Sequence, residues 1–359
     1  MDPEFVVWDA SNARDHEAWI AAWSATDKRE VYNHPDYVAL FAAEGDTAMG
    51  AYLTSSEGSV LYTFIRRPIA STSDGAETAP SDLITPYGYG GPQAWIRGSE
   101  GVLAAQFWNA FDDWARTHNV VTEFIRFGLF ADNYLPYPGD VVTRSSNIVI
   151  ALEGEDDEIW MSFEQKVRKN VKKALRNEIS VTTDVSGEYL DDFLRIYEGT
   201  LDRRDAGSGY FFPRSFFQTI IDRLPGQFAF FHARHDGAIV STELVLISDE
   251  SVYSFLGGTD SAAFEFRPND LLKYEVVKWA RANGKKHFVL GGGPIPGDGI
   301  ERYKRSFAPN GAVDFKSGQR VLQPAVNAEL VAAKRAEFDA GEREWPEDSG
   351  YFPEYRIVL

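Results

Sequence analysis

The chain has 359 residues, 44% of them hydrophobic, 14% aromatic and 25% charged, a globular composition that predicts about two domains of ~150 residues, each with its own core. Thirty-six basic against 54 acidic side chains leave a net charge of −18, which repels polyanions at long range and confines any nucleic-acid contact to a local surface. Cysteine is absent, which excludes disulfides, thiolate metal sites, iron–sulfur clusters and a cysteine nucleophile. No apolar run approaches the ~20 residues of a membrane span and no basic-then-apolar leader opens the chain, so a soluble, cytoplasmic protein is expected.

Met1-Asp2-Pro3-Glu4-Phe5 could be encoded by cloning sites and is left out of the pattern. Beyond it, helices are predicted over 15–25 and 35–43, followed by strands at 48–53 and 60–65 joined by Ser55-Ser56-Glu57-Gly58 as a hairpin. Residues 70–80, rich in Ser, Thr, Gly and Ala, read as a loop. A helix over 101–117 and strands at 123–127 and 146–150 follow. Residues 155–176 read as one amphipathic helix with Trp160, Phe163, Val167, Val171 and Ala174 on its apolar face. Asp156, Asp157 and Glu158 at its start and Lys172, Lys173 and Arg176 at its end complement the helix dipole.

Helices over 189–202 and 213–224, strands at 228–234, 239–247 and 252–256, a helix over 270–282 and a strand at 287–290 complete the pattern. The order helix, helix, hairpin, helix, strand thus occurs twice, which predicts a duplicated architecture with domains at 6–152 and 153–325. Residues 326–359 read as a short helix and an acidic, aromatic tail that docks on the surface.

Standard catalytic signatures are mostly missing. The histidines at 16, 34, 118, 232, 235 and 287 are scattered, and His232 and His235 on one strand point to opposite faces, so no metal site is expected. There is no Gly-x-Ser-x-Gly elbow, Walker lysine loop or His-Glu-x-x-His. Arg204-Asp205-Ala206-Gly207-Ser208-Gly209 matches the Arg-x-x-Gly-x-Gly pattern that cradles acyl-CoA pyrophosphate in Gcn5-related acetyltransferases. That cradle leaves a strand and enters a helix N-terminus, where backbone N–H groups face phosphate. Here the run follows a predicted helix, and no cofactor is expected.

Three other stretches carry chemistry. The run from Leu290 through Gly291-Gly292-Gly293 to Gly299 leaves a predicted strand, and its glycines allow close backbone approach. Beside it, Arg302, Lys304 and Arg305 could hold a phosphate or a developing oxyanion, or could simply solvate a helix. Between Gln165 and Asn177 stand six cations and no acid, a local inversion of sign that could grip a phosphate backbone or be an ordinary exposed face. Glu243, on a strand face with Ser241, Val245 and Ile247, is either paired with Lys or Arg, the reading favoured on residue type, or a buried general base.

Together with Asp82-Leu83-Ile84-Thr85-Pro86-Tyr87-Gly88-Tyr89-Gly90-Gly91-Pro92, the runs Arg168-Lys169-Asn170-Val171-Lys172-Lys173-Ala174, Arg267-Pro268-Asn269-Asp270-Leu271-Leu272 and Tyr303-Lys304-Arg305-Ser306-Phe307 resemble the FemABX family, in order across about residues 30–320. The resemblance implies an α+β fold of two tandem Gcn5-related N-acyltransferase-like domains with a cleft between them. It also implies aminoacyl-tRNA-dependent transfer of an amino acid to the amine of a peptidoglycan precursor or peptide natural product. By the same resemblance, Tyr87, Tyr89, Arg204, Tyr210 and Tyr253 would bind the acceptor, Lys304 would lie near the reacting ester and Glu243 would take the proton. Arg168, Lys169, Lys172, Lys173, Arg302 and Arg305 would hold tRNA, and a monomer is expected. Attack of an amine on an activated ester needs orientation, deprotonation and oxyanion stabilisation, not a covalent enzyme intermediate.

The pattern departs from the family in two places. Tyr37 is followed by Val38-Ala39-Leu40-Phe41, without the cation of members that hold a UDP-linked precursor, and no heptad-patterned arm separates the halves. The resemblance therefore does not carry over a UDP-muropeptide acceptor. Two readings compete with tRNA-dependent transfer. An acyl-CoA-dependent N-acyltransferase would show saturable CoA binding lost in Arg204→Ala, and a catalytically silent binding protein would be indifferent to Lys304→Ala and Glu243→Ala.

Overall fold

Runs of Val, Ile, Phe, Tyr and Thr form the strands, and helices with one apolar face cover them. The computed structural model describes residues 2–69, 79–130, 132, 134–205, 207–293, 295, 297–347 and 349–358. Most of the loop expected at 70–80, together with Met1, Ala206, Pro294, Pro296 and Leu359, lies outside them. Two compact units are present: Met1–Thr26, Tyr32–Arg144 and Phe315–Leu359 form the first, and Asp27–Val31 with Ser145–Asp314 the second.

In chain order, the first unit begins with β1 (Glu4–Asp9), α1 (Ala13–Ser24), α2 (Pro35–Ala39), β2 (Thr47–Ser55), β3 (Gly58–Pro68), β4 (Ser81–Ile84), β5 (Gln93–Ile96), α3 (Glu100–Thr117) and β6 (Val120–Arg126). Then come β7 (Asp140–Ala151), α4 (Asp156–Ser162), α5 (Gln165–Arg176), β8 (Ser180–Asp184), α6 (Leu190–Arg203), α7 (Arg214–Arg223), β9 (Phe228–His235), β10 (Ala238–Ile247), β11 (Ser251–Thr259), α8 (Pro268–Ala282), β12 (His287–Gly291) and α9 (Gly299–Arg305). The chain closes with β13 (Ala312–Val321) and α10 (Pro324–Ala340).

The strands of the first unit lie in the order β1-β2-β3-β4-β6-β13, with β5 on β3. Those of the second lie in the order β7-β12-β11-β10-β9-β8. Each unit has one parallel pair, β4 with β6 and β11 with β12, joined through a helical crossover, α3 in one and α8 in the other. This is the repeated order expected from the sequence.

The boundaries fall at 144/145 and 314/315, where 152/153 and 325/326 were expected, because strand pairing decides them. Residues 148–151 of β7 pair with β12, so that strand belongs to the second unit. Residues 317–321 of β13 pair with β6, which returns the C-terminal segment to the first. The discounted start also proves structural, since Glu4 and Phe5 pair with Thr54 and Leu53.

One expected helix is two. Phe163 and Glu164 take extended ψ of 147° and 150°, which ends α4 and starts α5. The break is held by Glu164 N–H donating to the Ser306 carbonyl at 2.9 Å. Arg168 Nη1 also donates to the carbonyls of Met161 and Phe163, which the break leaves without helical partners. Phe163 itself is buried, so the periodicity was right while the backbone was not continuous.

In the first unit Leu103, Phe107 and Phe111 of α3, at helical spacing, pack against Tyr62 and Phe64. In the second, Val167, Val171 and Ala174 of α5 and Leu272, Val276 and Ala280 of α8 pack against Phe231, Val245 and Phe288. Burial of each large side chain contributes ~1.5–3 kcal/mol.

Candidate active site

The second unit gathers three of the sequence runs around β12. That strand ends at Gly291, whose φ of +77° is open to glycine and strained for other residues. A Cβ on Gly291 would lie 3.3 Å from Lys304 Nζ, so glycine here also makes room for the ammonium. Lys304, half-buried in the last turn of α9, donates from Nζ to the Gly292 carbonyl at 2.6 Å. Asp298 caps α9 by accepting from Glu301 N–H at 2.7 Å, which orients the short helix. Burial lowers the Lys304 pKa to about 8, helped by the nearby Lys273 cation and opposed by Glu243 and Asp298.

Glu243 on β10 is nearly fully buried and pairs through Oε1 with Lys273 Nζ at 2.5 Å, the paired alternative of the two weighed for it. Lys273 also donates to Ser254 Oγ at 2.8 Å, while Glu243 Oε2 has no hydrogen-bond partner among the described residues. Behind this pair the sequence runs come into contact. Asn170 of α5 donates to Asp270 Oδ1 at 3.1 Å, and Asn269 donates to the Tyr303 hydroxyl at 2.8 Å. Burial pushes the Asp270 carboxyl up and the Tyr303 phenol well up.

Lys273, Ser254, Asn170 and Asn269 were missed by sequence reasoning. A signal existed for Lys273: with Asp270, Val277 and Ala280 it occupies a buried helical face, a charge at core spacing that demands a partner.

The remaining expected residues take varied positions. Tyr253 is buried and donates to Glu30 Oε2 at 2.8 Å. Arg204 is exposed at the end of α6, so its glycine run leaves a helix, as expected. Tyr210 is exposed, and its carbonyl accepts from the Tyr197 hydroxyl.

On α5, Lys169 and Lys172 are exposed, with Lys172 over the Trp160 ring, and Lys173 is half-buried. Arg168 holds the α4–α5 break, Arg302 donates to the Gly297 carbonyl and Arg305 pairs with Glu301. These three cations therefore have structural partners within their own segments.

In the first unit, Tyr87 and Tyr89 stand on the loop after β4. Tyr87 is 48% exposed, accepts from the Tyr37 hydroxyl through its carbonyl and stacks on Phe41. Tyr89 is half-buried between Tyr32 and Phe315, and burial raises its phenol pKa. Gly88, at φ +102°, lies so close to Tyr32 that a Cβ would meet its ring at 2.4 Å.

Residues 161–305 match the family model described as acetyltransferase (GNAT) domain, which places the body of the second unit in that class. The fold is similar to that of FemX, with a TM-score of 0.68 at 13% identity, covering 91% of this chain and 99% of FemX. The fold is thus FemX-like, and the second unit carries the match to a GNAT domain.

A candidate lysylphosphatidylglycerol synthetase C-terminal domain (DUF2156) from Agrobacterium fabrum is similar at TM-score 0.52 and 15% identity, covering 86% of this chain and 92% of that one. L-PGS from Bacillus licheniformis is similar at TM-score 0.51 and 12% identity, with coverages of 86% and 92%. No curated protein matches the chain in sequence. Among the described residues, no helix is long and apolar enough to cross a membrane.

Proposed function

We propose that this protein moves an aminoacyl group from charged tRNA to the amine of a peptidoglycan precursor or a peptide natural product. The observation that carries the reading is Lys304, half-buried at a glycine strand end, held by the Gly292 carbonyl and tuned to a pKa of about 8. In this reading the acceptor ammonium loses a proton, its nitrogen attacks the ester carbonyl, and the tetrahedral oxyanion collapses as the bond to the ribose oxygen breaks. The Lys304 ammonium stabilises the oxyanion and returns a proton to the ribose oxygen, which a group titrating near neutrality does at small cost.

The acceptor's proton leaves to solvent, since Glu243, the base expected from the resemblance, is nearly fully buried and paired with Lys273. Lys169 and Lys172, exposed on α5, supply the cations for the tRNA backbone. Orientation of amine and ester supplies much of the remaining rate.

The GNAT match over 161–305 favours a second reading, acyl transfer from CoA. One assay separates the two: the protein is incubated with mixed aminoacyl-tRNAs or with acetyl-CoA and a panel of amines plus phosphatidylglycerol, and products are read by mass with and without ribonuclease. A product abolished by ribonuclease is the expected result. A product made from acetyl-CoA and indifferent to ribonuclease would overturn the first reading.

A further inference from the structure

Buried or half-buried cations of the first unit generally hold a carboxylate. Arg67 and Arg356 bind the buried Asp82 at 2.6 and 2.8 Å, and Arg320 binds the buried Glu123 at 2.8 Å. Arg66, which donates to Ser81 Oγ and the His118 carbonyl, does not, and neither do Arg126 and Arg144, although the chain carries 54 acidic side chains. None of the three forms an ion pair among the described residues, and Arg126 and Arg144 are the two that share a ring.

Arg126, half-buried at the end of β6, uses one guanidinium N–H toward the Thr85 carbonyl at 2.9 Å, one of the five donors an arginine carries. Its backbone N–H donates to Thr85 Oγ1 at 2.8 Å, which ties it to the Tyr87–Tyr89 loop. Arg144 donates to Ser317 Oγ at 2.6 Å, the Gly350 carbonyl at 3.0 Å and Gln319 Oε1 at 3.2 Å, all neutral acceptors. Both guanidiniums lie over one ring, Phe124, at 5.3 and 5.9 Å from its centroid.

No carboxylate is among the strongest electrostatic neighbours of Arg126 in the described residues. Its neighbours are the tyrosines Tyr37, Tyr87 and Tyr351 and a further cation, Arg67, and burial lowers its pKa. Tyr87 and Tyr351 are 48% and 49% exposed, so rings border the pair where solvent reaches it. Two guanidiniums over one aromatic ring, each with unused donors, are placed to share an anion.

We infer that Arg126 and Arg144 form an oxyanion-binding site on the first unit, taking a carboxylate or phosphate group, with Tyr87 and Tyr351 against the rest of the ligand. The forked donors suit a planar or tetrahedral oxyanion, and the aromatic border suits a small organic molecule better than a bare ion. The site is read from the first unit alone, apart from the proposed function. Oxyanion binding itself does not depend on that function.

The test uses the full chain. Phosphorus NMR line widths of inorganic phosphate and pyrophosphate, and proton saturation transfer to glutamate, are titrated with the native protein and with Arg126→Gln, Arg144→Gln and Arg116→Gln. Arg116 is an exposed arginine of the same unit paired with Asp113, and it controls for general charge. Each site substitution is expected to weaken binding about tenfold or more, the effect of losing one charged hydrogen-bonding group, and Arg116→Gln to leave it unchanged.

Absence of binding to the native protein, or equal weakening by Arg116→Gln, overturns the inference even if a site variant fails to fold. Broadening of the phosphate lines assigns a phosphorylated ligand, and a response from glutamate alone a carboxylate. Anion binding without any transfer product would retain the site and remove the function. Transfer by a protein that binds neither anion would do the reverse.

Discussion

Lys304 shows how one residue's surroundings set its chemistry. Burial and the Lys273 cation bring its pKa to about 8, so its ammonium is lost as pH rises through that value. If the ammonium is the working form, the contribution of Lys304 to the transfer rate is full below about pH 7 and is lost above about 8. Lys304→Ala should lower kcat by ~10²–10³-fold, the usual cost of losing an oxyanion donor, while Lys304→Arg should extend activity to higher pH. A pH–rate profile that stays flat to pH 10, or that Lys304→Arg leaves unmoved, would remove Lys304 from that role.

A second titrating group bears on stability. Glu30 is buried, accepts from the Tyr253 hydroxyl, and has its pKa raised to about 7, first by desolvation. Ionising it therefore costs the folded state more than the unfolded one. Stability is full below about pH 4.5 and is lost progressively as pH rises to about 7. Relative to the native chain, Glu30→Gln should gain up to ~3 kcal/mol at pH 8 compared with pH 4. Urea midpoints of the two proteins that run parallel across this range would contradict the assignment.

At the scale of elements, the break between α4 and α5 divides the basic residues by task. Arg168 is committed to the Met161 and Phe163 carbonyls, while Lys169 and Lys172 stay exposed on α5. Reversing Lys169, Lys172 and Lys173 to Glu should weaken tRNA binding by ~10-fold or more at low salt and flatten its salt dependence. Filter binding across a salt series reads both, and unchanged affinity at low salt would exclude this face. Arg168→Ala should instead cost stability, ~1–3 kcal/mol for the carbonyls left unpaired at the break, measured as a shift in the urea midpoint.

Across the whole molecule, the C-terminal segment belongs to the first unit and completes it. Tyr355 bonds Thr122 at 2.6 Å, Arg356 bonds Asp82 at 2.8 Å, and Val326, Leu330 and Val331 of α10 pack around Ile69, Val121 and Tyr355. Asp82 has no exposed surface, and without Arg356 only Arg67 remains as its ion partner among the described residues. Truncation before α10 should therefore destabilise the chain by several kcal/mol, ~3–5 for the broken buried pair alone. Calorimetry that found an unchanged melting temperature would show the tail to be dispensable.

Much of this was legible in the sequence, because local periodicity is written in consecutive residues. The apolar spacing of α3, α5 and α8, the hairpin of β2 and β3 and the twofold order of elements needed no tertiary information. The glycine run beside Lys304 and the family motifs were equally local. What pairs with what was not local.

Strand exchange moved the unit boundaries, since β7 and β13 find partners far along the chain. Glu243 met Lys273, and Asn170 met Asp270, only once the sheet and α8 were assembled. The two arginines around Phe124 look in sequence like ordinary surface charges. Only the folded chain shows that, among the described residues, they meet neutral acceptors and no acid. Short-range spacing selects helices and strands, but the partner of a charge is fixed by which distant segments the core brings together.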